Sequence, residues 1–90
     1  MTLERWKTFS KRDQLLFIGS EFERAKVAER EGDNAHREAA LARAITLIDL
    51  TKNDEQWAAQ GAMLDGLRVV VEEFRSKAEK PGVELLYQVL

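Results

Sequence analysis

The sequence predicts an all-α fold: an antiparallel three-helix bundle with a short N-terminal helix and an apolar C-terminal arm, forming one domain over residues 1–90. Three observations carry that prediction. Apolar residues recur every three or four positions along three long stretches, the period of a helix with one buried face. Glu31-Gly32-Asp33-Asn34 and Lys52-Asn53-Asp54 separate the stretches tightly, so adjacent helices should run antiparallel. The one β-branched run, Val69-Val70-Val71, lies inside a 3.6-residue period too long and too regular for a strand.

The elements follow in order. Leu3, Trp6 and Phe9 recur at helical spacing, and Thr2 is a candidate cap for a short first helix. Ser10 is the next candidate cap. Asp13, three residues on, complements the dipole of a helix expected from about Lys11 to Arg30. Its seam is Leu15, Ile18, Phe22 and Ala25, with Glu21, Glu23, Arg24, Lys26, Glu29 and Arg30 mostly on the other side. At the hinge, Gly32 suits a C-terminal cap and Asp33 or Asn34 can receive the free N–H groups of the next helix. That helix, Asn34 to about Thr51, holds no Gly or Pro and presents Leu41, Ala44, Ile45 and Ile48 on one face. Asn53 followed by Gln56 has the spacing of a capping box for a third long helix, about Glu55 to Lys80. Trp57, Leu64, Leu67, Val71, Phe74 and Ala78 trace its apolar face, and Pro81-Gly82 stops it. Val83, Leu85, Leu86, Tyr87, Val89 and Leu90 make the final segment apolar, as a docking helix or an extended arm. Gly19, Gly61 and Gly66 fall inside predicted helices. Gly19, beside the seam, is the one expected to mark a close helix crossing.

Composition narrows the function classes. Hydrophobic residues are 44% and charged residues 33%, which fits a globular chain with many surface ion pairs and argues against disorder. With no Cys, thiolate chemistry and Cys-based zinc sites are excluded, and a reducing cytoplasmic setting is expected. A net charge of −2 gives no global attraction to nucleic acid or anionic membrane. The apolar runs are too short for a membrane span or a signal peptide.

Catalytic templates fail on inventory. The single His36 lies three residues from Asp33, which is too few ligands for a metal, so an exposed His at a helix start is expected. Gly61 to Gly66 lacks the Lys-Ser/Thr of a phosphate loop. Arg5, Lys7, Lys11 and Arg12 interleave with Trp6 and Phe9, but these aromatics are expected to dock on the bundle rather than meet bases. Asp49 and Asp65 lie on or near apolar faces. They read as boundary residues or as acids paired with an arginine such as Arg68. No cofactor or metal is expected.

Ala25-Lys26, Glu31-Gly32-Asp33 and the run Leu41 to Leu50 together resemble the FliS-type flagellar export chaperones. In that family a helix with an Ala-Lys step ends at an acidic Gly/Lys-Asp turn, and the next helix carries a Lys/Arg-Ala step and an aliphatic end. The likeness covers about residues 13–75, with Phe17-Ile18-Gly19 departing from the family's Tyr-Asp-Gly step. It implies an antiparallel bundle whose apolar grooves hold a disordered flagellin terminus as helices. The match lies in packing positions, so it carries over no site residue. Tetratricopeptide repeats share the hairpin features Gly32-Asp33, Leu41 and Ala44, although Arg37 stands where they take Ala and no second repeat follows.

The expected function is therefore a non-catalytic protein-interaction or chaperone-like module. It binds a partner helix, or a second copy as a homodimer, in an apolar groove that includes Phe17, Phe22, Trp57, Leu64 and Tyr87. Two alternatives stand beside it: a small oligomeric enzyme or ligand-binding subunit with Asp49 and Asp65 at an interface, and a structural homodimer.

Overall fold

The computed structural model describes residues 1–76. Ala78, the expected helix end at Lys80, the Pro81-Gly82 stop, the apolar arm and Tyr87 lie outside the described residues. Within them the chain is an all-α bundle of helices α1 (Leu3–Trp6), α2 (Lys11–Arg30), α3 (Asn34–Lys52) and α4 (Gly61–Ser76), with a 3-10 segment at Glu55–Gln60.

Capping side chains set the starts. Thr2 Oγ1 accepts the Arg5 N–H, Ser10 Oγ the Asp13 N–H and Asp33 Oδ1 the His36 N–H, at 3.2, 3.1 and 3.1 Å. The hinge is a Schellman turn. Gly32 takes φ +72°, its N–H donates to Glu29 O (3.2 Å), and the Asp33 N–H reaches back to Ala28 O (2.8 Å). α2 and α3 therefore fold back on each other with only three residues, Glu31 to Asp33, between them.

The third stretch departs from expectation. Asp54, not Asn53, caps the segment after α3: its Oδ1 accepts the Gln56 N–H at 3.0 Å. Asn53 instead closes α3, donating its side-chain amide to Asp49 O. The expected continuous helix is broken at Trp57 (φ −107°, ψ 15°), and α4 begins only at Gly61. Burial explains the break, because Trp57 is turned inward toward a polar group on α2.

α3 is the central element. It packs against α2 on one side and α4 on the other, whereas α2 and α4 make little direct backbone contact. One cluster of buried side chains joins all four helices: Trp6 from α1, Ile18, Phe22 and Ala25 from α2, Leu41, Ala44 and Ile48 from α3, and Leu67, Val71 and Phe74 from α4. The alanines on α3 keep that helix slim enough for close neighbours on both sides. Gly61 opens α4 and Gly66 faces open space, so neither marks a close crossing.

Polar residues complete the core in place of the expected Leu15, which is only half-buried. Gln14 is fully buried. Its amide nitrogen donates to Trp6 O and Asp54 Oδ2, both at 2.8 Å, and its oxygen accepts the Trp57 indole N–H at 2.6 Å. The Trp6 indole N–H donates to Thr51 Oγ1 at 3.1 Å. At the hinge end of α3, Arg37 is 1% exposed, donates to Glu29 and to Phe74 O, and so spans α2, α3 and α4. Glu21, expected on the solvent side of α2, is buried between Arg24 and Arg43 at 3.0 Å from each.

Candidate functional site

Several titratable groups hold the helices together. Asp49 accepts from Arg68 Nε at 2.8 Å, and Asp65 pairs with Lys52, so the two acids form rungs between α3 and α4. Both are partly or fully exposed, and each carboxylate already faces a cation. Among the described residues no group of three or more His, Cys, Asp or Glu could hold a metal ion. No described helix is long and apolar enough to cross a membrane.

Two carboxyls stand below their ordinary values. Burial works to raise Asp54, but hydrogen bonds from the Gln14 side chain and from the Gln56 backbone and side chain, with the Lys7 charge, outweigh it. Asp33 is lowered chiefly by the His36 backbone N–H and also by the His36 ring, which contacts Asp33 Oδ2. His36 itself points into solvent, as its place at a helix start suggests.

Among the described residues, large apolar side chains are exposed on the outer face of α2 and, on α4, at Met63 and Val69; the α2 set lies beside grooves. Successive helical residues are about 100° apart, so Leu16, Ser20 and Val27 line up opposite the Ile18–Phe22–Ala25 seam. Leu16 is 58% exposed and Val27 43%. Phe17 flanks this crest at 40% exposure, with its inner edge against Trp6 and Phe9 at centroid distances of 5.8 and 5.0 Å. Grooves run beside the crest. One, of about 620 Å³, lies between α2 and α3 and includes Ser20, Arg24, Val27, His36 and Arg43. A smaller one, of about 280 Å³, is formed by Phe9, Asp13, Leu16, Phe17 and Ser20. Ser20 lines both, so they neighbour each other along α2.

No family model, curated protein or solved structure matches this chain. The molecule's own geometry carries the functional argument.

That geometry sorts the residues expected at a partner groove. Phe22 and Leu64 are fully buried and Trp57 is 5% exposed, so all three belong to the interior of the fold. Only Phe17 reaches the surface among the described ones, and Tyr87 lies outside them. Leu16, Ser20 and Val27 were not singled out by the sequence reading. Their signal was the pair Leu16 and Val27 at i, i+11, with the small Ser20 between them, running opposite the main seam of the same helix.

Proposed function

We propose that the chain is a non-catalytic interaction module whose outer α2 face receives a helix from another protein chain. The observation that carries this reading is the exposed crest of Leu16, Ser20 and Val27, beside two neighbouring grooves on a helix whose opposite side already fills the core. A partner helix laid along it would bury Leu16, Phe17 and Val27, with Ser20 allowing close approach. The groove rim carries side chains of both signs, Arg24 and Arg43 paired with Glu21, Glu23 paired with Lys26, and Glu31, which suits an amphipathic partner. The resemblance to FliS-type chaperones supplies one such partner class, a flagellin terminus folding as a helix. A reducing, cytoplasmic setting fits the absence of Cys.

The test compares the native chain with a Leu16→Glu/Val27→Glu variant, both immobilised and exposed to a cell extract, after circular dichroism has shown equal helicity. The reading expects proteins retained by the native face and lost from the variant, or self-association lost in the same way. Identical retention by both, with both monomeric in solution, would sink it.

A further inference from the structure

We infer that the occupant of the α2 face is a second copy of this chain, with the two α2 helices side by side, parallel and in register. The inference rests on the reading of α2 as a docking face and adds the partner's identity and orientation. It comes from the charges at the two ends of the crest. Arg12 and Arg30 fall on one flank of Leu16–Ser20–Val27, and Asp13 and Glu31 on the other. All four are exposed, and none forms an ion pair with a described residue. The other acids and arginines on α2 are engaged: Glu21 with Arg24 and Arg43, Glu23 with Lys26, and Glu29 with Arg37.

Two-fold symmetry decides the orientation. When identical helices pair in parallel, opposite flanks meet, as in a parallel coiled coil. Arg12 then faces Asp13 of the second copy, and Arg30 faces Glu31 of the second copy, with each contact made twice. When the helices pair antiparallel, like flanks meet. Arg12 then approaches Arg30 of the second copy, and Asp13 approaches its Glu31. The charge pattern therefore favours one orientation and opposes the other. Leu16, Ser20 and Val27 would each meet their own counterpart. Ser20, small and central, would let the backbones approach there.

Cysteine cross-linking reads the register without background, because the chain has no Cys. In separate Leu16→Cys and Val27→Cys variants under mild oxidation, each should cross-link to itself. Cross-links found only when the two variants are mixed would show antiparallel pairing and overturn the inference. So would a native chain that sediments as a monomer at every concentration. In that case, retention of some other protein by the native face but not by Leu16→Glu/Val27→Glu would leave the helix-docking reading standing alone. Charge reversal tests the flanks. Arg12→Glu and Asp13→Arg, each alone, should weaken self-association roughly tenfold. An equimolar mixture should recover native affinity, because the reversed charges then pair across the interface. Single reversals that associate as tightly as the native chain would overturn the inference.

Discussion

Gln14 shows how much one polar side chain settles here. Its two N–H groups and its oxygen are all used, and its partners tie α2 to two other segments: Trp6 O to the end of α1, Asp54 Oδ2 and Trp57 Nε1 to the 3-10 segment and its cap. Gln14→Leu keeps the volume but leaves those partners buried without it. The expected loss is roughly 3 kcal/mol, read as a lower urea midpoint with an unchanged m-value. Asp54 adds a pH dependence. Its folded-state value is depressed, so its contribution is complete above the unfolded carboxylate value of about 3.9 and is lost as pH falls through the folded value. Urea midpoints measured from neutral pH into the acid range should fall, and Asp54→Asn, which keeps the shape, should flatten that acid limb. An equally steep limb in the variant would assign the acid loss to other groups. Gln14 was legible in hindsight. It stands at i, i+4, i+8 with Ile18 and Phe22, but a search for apolar periodicity passes over an amide.

At the scale of elements, backbone conformation separates the glycines. Gly32 holds φ +72° with open space around its Cα, so Gly32→Ala meets only backbone strain, about 1–2 kcal/mol of destabilisation. Gly66 sits on the exposed side of α4 with nothing near a would-be Cβ. Gly66→Ala should therefore stabilise by about 1 kcal/mol. Thermal melts of the pair should shift in opposite directions; a Gly32→Ala melt no lower than that of the native chain would refute the assignment of strain to the hinge. The hinge, α2 and α3 were readable because cap, glycine and apolar period all agree there. The end of α3 was less so. Asn53-Asp54 offers two adjacent capping side chains, and local spacing ranks them equally. The choice is made at long range, by the Gln14 amide drawing Asp54 inward and by Trp57 turning into the core, which breaks the expected helix at the same place.

Across the whole molecule, α3 is clamped at both ends by buried polar groups: the Gln14–Asp54–Trp57 set at one end and Arg37 at the other. The clamps differ in quality. Gln14 is fully satisfied, whereas Arg37 Nη1 is buried without a hydrogen-bond partner among the described residues. Arg37→Met removes two hydrogen bonds but also a desolvated charge, so its net cost should be within about 1 kcal/mol, well below that of Gln14→Leu. The two clamps share no partner, so the double variant should equal the sum of the singles within about 0.5 kcal/mol. A marked departure from additivity would show the ends to be coupled through α3. Arg37 stands in phase with Leu41, Ala44 and Ile48, which was the signal that it lies on the buried face. The outer face of α2 was missed for a related reason. Once a helix has been given one apolar side, its isolated Leu16 and Val27 pass as ordinary surface residues.

The placement of both tryptophans also has an optical consequence. Trp6 and Trp57 are the chain's only indoles, and both lie within the Gln14 set. Intrinsic fluorescence therefore reports almost entirely on one end of the molecule, while far-ultraviolet ellipticity averages over every helix. If the hinge end of α2 and α3 opened on its own, ellipticity would decline while tryptophan emission stayed at its native wavelength. The chain thus carries, without labelling, a pair of signals able to separate local fraying from global unfolding.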